Sequence, residues 1–244
     1  MARSSERNKK KTQNMKVAIY TLTRDRLEYT KHSFKTLKEK SWYDYDHFII
    51  DNGSTDGTQQ WLKLHESEFK KVILLPENVG ISKGSNMALD IIFETDKYDL
   101  IVKMDNDCEV VSDNIIGQLC QIFEDSFSKS FGNQFVLSPR VEGILKQPKR
   151  DGGTQLAGRT IGFTSIVGGL FHVVPSIVYS KYRYPEHLPK AWGQDDHFCH
   201  WAKKNGCKVG YVEGLVVNHF ETTDGQAKRF PEYFERKFKE EKNA

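Results

Sequence analysis

Two aspartates one residue apart, Asp105 and Asp107, close the apolar run Leu100-Ile101-Val102-Lys103-Met104. The run reads as a short buried strand, and alternate residues leaving an extended strand project the same way. Carboxylates so placed offer oxygen ligands to a hard divalent cation. For the tripeptide Asp105-Asn106-Asp107 taken alone, a polar turn is the competing account, because Asp and Asn are frequent turn formers. Farther along, Asp195 and Asp196 stand where a helix begins. A carboxylate there either caps the helix, favoured by its dipole, or acts as a general base that takes a proton from an attacking hydroxyl. Trp192 beside them is either a stacking wall for a sugar ring or a core side chain. His219 follows the β-branched pair Val216-Val217; as a neutral imidazole it can complete a site that already holds carboxylates.

The elements that must position these groups follow from hydrophobic pattern and turn residues. Strands are predicted at 16–23, 46–51, 71–75 and 100–104, with helices at 28–39, 59–64 and 82–93 between them. Such alternation builds a parallel sheet with helices on its faces. Beyond it come a helix at 114–123, a strand at 135–137, a mobile loop or hairpin at 142–159, and a strand at 163–174 around Gly168-Gly169. A helix follows from 192 to 204, stopped by Asn205-Gly206, then short strands at 208–212 and 215–217. A C-terminal helix opens at Pro231 with Tyr233, Phe234 and Phe238 on one face. Ligands of open α/β sheets collect at the carboxyl ends of the strands. Thr23, Asp51, Asn78, Gly80 and Asp105 to Asp107 all lie just past such ends. Asp51 there can accept a hydrogen bond from a ring N–H of a base, and the glycine permits close backbone approach.

The 244 residues, 38% of them hydrophobic, suit one α/β domain with a substantial core. Apolar runs fall short of the roughly 20 residues of a membrane span. Residues 1–14 read as a disordered basic tail, and 221–244 as a C-terminal amphipathic helix. The four cysteines form no CxxC pair, which suggests reduced thiols and a cytoplasmic protein. A net charge of +3 neither demands nor excludes an anionic partner. The sequence contains no Walker phosphate loop, no GxGxxG turn and no GxSxG elbow, and His197 and His200 lack zinc-pair spacing.

In order and spacing these pieces resemble the family 2 glycosyltransferases of the GT-A fold. The resemblance is carried by Thr23 to Arg26, Ile50 to Thr58, Pro76 to Gly80, Met104 to Asp107, Gly168-Gly169, Gln194 to Asp196 and Val217 to His219. It implies an α/β fold with a Rossmann-like, mostly parallel central sheet flanked by helices, and a smaller sheet on the acceptor side. The single domain would span 15–220, with a nucleotide-sugar half at 15–107 and an acceptor half at 108–220. By this resemblance Asp51 contacts the base with Thr23 near it, and Arg26, Asn78, Gly80 and Lys83 join the donor site. Asp107 binds Mn²⁺ or Mg²⁺, with Asp105 and Asn106 near the ribose and metal and His219 as a further metal ligand. Asp195 matches the family's catalytic base, with Asp196 the alternative because Gln194 replaces the usual Glu. Trp192, Gly169 and Gln194 would lie towards the sugar and acceptor.

The implied reaction moves a sugar, with inversion, from a nucleotide-diphospho-sugar, UDP-linked in the first instance, to a hydroxyl acceptor. A glycan or lipid-linked sugar is the default acceptor. The tail aromatics with Arg236 and Lys237 would let the protein graze a membrane surface. Modified DNA is a minority acceptor, resting on the basic N-terminus with Lys146, Lys149 and Arg150. A sugar nucleotidyltransferase would share the sheet but needs a Gly-rich basic loop after the first strand, and Thr23-Arg24-Asp25-Arg26 is not one. A non-catalytic module is disfavoured because Asp105, Asp107, Asp195 and His219 are all present.

Overall fold

Val17, Ala18, Ile19 and Tyr20 are all buried, so strand β1 (Val17–Thr23) carries side chains packed on both faces. Such a strand belongs in the middle of a sheet covered on both sides. The computed structural model, which describes residues 14–129, 135–144, 148–190, 193–221 and 223–242, places it there. β1 pairs in parallel with β2 (Asp46–Asp51) and β4 (Leu100–Met104), and β2 pairs in parallel with β3 (Lys71–Leu74). The crossovers are α1 (Leu27–Ser41), α2 (Thr58–Leu64) and α3 (Ile81–Thr95). Alternation along the strands feeds two cores. Val17, Ile19, Ile49 and Val102 pack with Phe34, Leu37 and Leu62 of α1 and α2. Ala18, Tyr20, Phe48 and Ile50 pack with Ala88, Leu89 and Ile92 of α3.

The chain continues through β5 (Cys108–Val110), α4 (Ile115–Ser128), β6 (Phe135–Glu142), β7 (Gly153–Leu156), β8 (Arg159–Phe163) and β9 (Phe171–Pro175). Then come α5 (Ser176–Tyr179), α6 (Gln194–Lys204), β10 (Lys208–His219), α7 (Thr223–Arg229) and α8 (Pro231–Lys242). The strand order is β3-β2-β1-β4-β9-β6-β10-β8-β7, with β5 branching onto β10. The smaller sheet expected on the acceptor side is thus continuous with the central one. The reason lies in β10, a 12-residue strand whose register on β6 shifts between Val212 and Val216, around Gly214 at φ 76°. Its first half pairs with β8 and its last residues with β5, so one long bent strand joins what would otherwise be two sheets.

Two expected elements are divided. The strand expected at 163–174 is the end of β8 and the start of β9, and Gly168-Gly169 lie in the loop between. The Gly-rich stretch before it is the β7–β8 hairpin, turning at Ala157 and Gly158, both at positive φ. The C-terminal helix is two, α7 and α8, because Pro231 cannot continue the first and starts the second. The aromatics expected at a membrane surface turn inward instead: Phe234 is buried, and it lines a cleft together with Tyr233, while Phe238 stays exposed. Among the described residues no helix is long and apolar enough to cross a membrane. Residues 1–13 of the expected basic tail lie outside the described residues.

Candidate functional site

The parallel strands deliver Thr23, Asp51 and Asp105 to one edge of the sheet, with Thr23 and Asp51 as register partners. A cleft of about 260 Å³ opens at that edge. Its floor is Asp105 to Asp107 with His219, its strand-side wall includes Leu22, Asn52, Asn78 and Ile81, and the C-terminal helices add a further wall of Gln226, Tyr233, Phe234 and Lys237. His219 reaches the floor because β5 and β10 pair antiparallel, which sets it opposite Cys108, the neighbour of Asp107.

Asp107 is buried, and its Oδ2 accepts hydrogen bonds from Arg26 at 2.8 Å and Gln226 at 3.1 Å. His219 Nε2 lies 3.7 Å from the same oxygen. Burial alone would raise the Asp107 carboxyl, but the charges of Arg26 and His219 and the hydrogen bonds of Gln226 and Arg26 outweigh it and push it down to about 2. The Glu221 carbonyl can only accept, so His219 Nδ1 donates to it and Nε2 is the nitrogen turned to Asp107. Arg26 is placed by an unusual turn. Asp25 and Arg26 both have positive φ, at 51° and 60°, and their side-chain contacts hold that strained backbone. The Asp25 carboxylate accepts from Thr55 N–H at 2.8 Å and from Arg236. The Arg26 guanidinium also donates to Asn106 Oδ1 at 2.9 Å and Gln226 Oε1 at 2.7 Å, with the Tyr233 ring centroid 4.8 Å away.

A second cluster adjoins the first through Asp105. Lys103, buried on β4, donates to Asp105 Oδ1 and to the Gly169 carbonyl, both at 2.7 Å. Gly169 N–H donates to Asp195 Oδ2 at 2.7 Å. Burial works against the ammonium of Lys103, yet the charges of Asp105 and Asp195 prevail and hold its pKa above the ordinary lysine value. Burial and the Asp107 charge raise the Asp105 carboxyl despite Lys103. Asp195 is half-buried at the start of α6, linked to Asp105 through Gly169 and the buried Lys103. Gly169 is essential to that approach: a Cβ there would lie 2.4 Å from Lys103 Nζ and 2.7 Å from Asp195 Oδ1.

Other expected residues are placed differently. Asp51 is fully buried, and its oxygens take four hydrogen bonds, from Thr23, from Ser54 N–H and Oγ, and from Gln59. Its acceptors are spent on folding the loop after β2, and Asn52 faces the cleft instead of it. Thr23 lines the cleft, but its hydroxyl is committed to Asp51. Asn78 lines the cleft and accepts from Gly80 N–H, whose φ of 87° lets the chain enter α3. Lys83 is exposed, because α3 buries Ser82, Gly84, Ser85 and Asn86 and turns position 83 to solvent. Asn106 touches the cleft but aims its amide at Thr30 Oγ1 and the Asp25 carbonyl, bracing the turn. Gln194 is buried and donates to the Pro189 carbonyl at 2.5 Å, an acceptor that would repel a Glu carboxylate. Asp196 is exposed on the outer side of α6, which leaves Asp195 as the carboxylate of the pair beside the cluster. Trp192 and Lys146 lie outside the described residues, and Arg150 is tied to the Gly152 carbonyl and Glu213.

The sequence reading missed Lys103, Asn52, Lys190 and the α7–α8 wall. A lysine inside an otherwise apolar strand was the available signal for Lys103, since a buried ammonium needs anionic partners. Asp107 and His219 suit a divalent ion as an oxygen and a nitrogen donor that converge on one point. No group of three or more His, Cys, Asp and Glu side chains suited to a metal occurs among the described residues, so the remaining ligands would come from water and a bound diphosphate. Arg26 would then share Asp107 or release it.

The sequence pattern of glycosyl transferase family 2 matches residues 17–149. No curated protein sequence matches the chain. Among solved structures, a 1–349 fragment of S. aureus TarS in complex with UDP is similar at a TM-score of 0.62 and 15% identity, covering 84% of this chain and 60% of that one. GalNAc-T7 with UDP, GalNAc and Mn²⁺ is similar at 0.66 and 12% identity, covering 87% of this chain and 45% of that one. The mannosyltransferase PcManGT from Pyrobaculum calidifontis, with GDP-Man and Mn²⁺, is similar at 0.61 and 13% identity, covering 93% and 65%. The chain therefore spans less than two thirds of the length of these relatives, and the likeness is one of fold.

Proposed function

The chain belongs to glycosyl transferase family 2, and from that premise we propose that this glycosyltransferase moves a sugar, with inversion, from a nucleotide-diphospho-sugar to an acceptor hydroxyl. The observation that carries the reading is the meeting of Asp107, His219 and Arg26 on the cleft floor with the Lys103–Asp105–Asp195 cluster beside them. The floor suits the diphosphate. Arg24, Arg26, Lys190 and Lys237 line the cleft with Asp105 and Asp107, so cations outnumber carboxylates. Asp107 and His219 would hold Mn²⁺ or Mg²⁺, which when bound supplies positive charge to the leaving oxygens. Mn²⁺ accompanies UDP and GalNAc in one of the similar structures and GDP-Man in another.

Asp195 accepts the proton of the attacking hydroxyl. That oxygen bonds to the anomeric carbon, the bond to the diphosphate breaks on the opposite face, and the nucleoside diphosphate leaves. Lys103 holds the Gly169 carbonyl and the Gly169 N–H holds Asp195, which orients that carboxylate. A UDP-linked donor and a glycan or lipid-linked acceptor complete the proposal. The test is a panel of nucleotide-sugars with Mn²⁺ and glycan acceptors, read by released diphosphate. Asp195→Asn is expected to bind UDP or GDP as the parent does and to lose about 10²–10⁴-fold in transfer. Transfer at the parent rate would remove Asp195 from the mechanism.

A further inference from the structure

The region that matches the family ends at residue 149, yet one wall of the cleft comes from 223–242. We propose that α8 is part of the donor site, with Lys237 a diphosphate-binding residue and Tyr233 the residue that positions the arginines beneath it. The proposal rests on the donor reading of the cleft and extends it to residues outside the matched region.

The two helices are built into the cleft by specific contacts. From α7, Gln226 is buried and bonds both Arg26 and Asp107, which fixes that helix to the floor. From α8, Arg236 bonds Thr55 Oγ1 at 2.6 Å and pairs with Asp25, the strained residue of the turn that delivers Arg26. Phe234 is buried, and Phe230 packs edge-on against Tyr29 of α1 at 4.9 Å between ring centroids. Polar anchors at both helices and an apolar one between them set which side chains of α8 face inward.

Those side chains are Tyr233, Phe234 and Lys237, at the spacing of one helical face. The Tyr233 ring lies under two guanidiniums, with Arg26 at 4.8 Å and Arg24 at 5.7 Å from its centroid. Cation–π contact of this kind holds each guanidinium in place at the cleft. Lys237 lies over the Phe234 ring at 5.8 Å and lines the cleft. Lys190 also lines the cleft and reaches the Asn78 carbonyl at 3.4 Å. Among the described residues neither lysine is ion-paired to a carboxylate, whereas Arg26 already is. Two ammonium groups lining a cleft whose Asp107 is already paired with Arg26 are the complement of a doubly charged diphosphate.

The experiment is titration of the full chain with UDP and with GDP, each beside its nucleoside, in the presence of Mn²⁺. Lys237→Ala is expected to weaken the bound diphosphate about tenfold, the size of one charge-assisted contact, with nucleoside affinity unchanged and Lys237→Arg restoring it. Tyr233→Leu is expected to weaken the diphosphate and Tyr233→Phe to keep it, because the ring rather than the hydroxyl holds the arginines. Circular dichroism establishes that each variant folds. If the parent binds UDP or GDP and Lys237→Ala binds it equally well, the proposal is overturned while the donor reading stands. If the parent binds neither, the donor reading falls and takes this proposal with it.

Discussion

Gly169→Ala puts the proposed role of the Lys103–Asp105–Asp195 cluster to its most direct test. The added Cβ would lie 2.4 Å from Lys103 Nζ and within 2.8 Å of both Asp195 oxygens. Ordinary contact between such atoms needs roughly 3.5 Å, so the ammonium must retreat by about 1 Å and the carboxylate by nearly as much. Neither can do so freely. Lys103 is buried and bonded to Asp105, and Asp195 is bonded to the Gly169 N–H itself. A misplacement of about 1 Å at a reacting group costs on the order of 100-fold in rate. Gly168→Ala is the matched control, because a Cβ there meets nothing within 4 Å. The assay is steady-state transfer with the donor identified by the panel, together with a UDP or GDP titration. Gly169→Ala is expected to lose about 100-fold in kcat with donor affinity within about twofold of the parent, and Gly168→Ala to lose little. Parent-like kcat in Gly169→Ala would refute the argument that Asp195 works from the position Gly169 allows. Equal losses in both variants would assign the effect to backbone flexibility.

Two further predictions concern stability. Lys103→Met leaves Asp105 and Asp195 facing one another without their cation, and is expected to cost about 3 kcal/mol in urea denaturation, the low end for a broken buried pair because Asp105 reaches solvent; an unchanged midpoint would show that the pair contributes nothing. Burial pushes His47 down to about 3, and burial with the nearby Lys103 charge does the same to His172. The unfolded chain protonates both near 6.5, so their contribution is fully present above that pH and is lost as pH falls towards 3. At about 1.4 kcal/mol per pH unit for each histidine, stability should drop by about 4 kcal/mol between pH 7 and pH 5. Asp107, held down to about 2, adds its own loss only below about pH 4. A flat profile from pH 7 to 5 would contradict the buried neutral state of these rings.

Much of this molecule could be read along the chain, and the boundary is physical. Strands such as Val17–Thr23 and Leu100–Met104 announce themselves because burial on both faces demands a largely apolar run. Parallel order then sends their carboxyl ends to one edge, so Asp105, Asp107, Thr23 and Asn78 could be grouped without coordinates. The helix start at Pro231 was visible, but not the separate helix before it, nor that α8 folds back over Arg26, since an amphipathic face does not name what it covers.

Local sequence determined which side chains could do chemistry here and at which strand ends they would emerge, because periodicity and turn preference act over a few residues. Only the tertiary structure decided which of them meet. The pairing of β5 with β10 brings His219 to Asp107, the bend of β10 makes one sheet of two, and Gly169 admits Asp195 to Lys103. Each depends on contacts between segments far apart in the chain. The same long-range packing spent Asp51 on its own loop and gave the cleft a wall from the last helix.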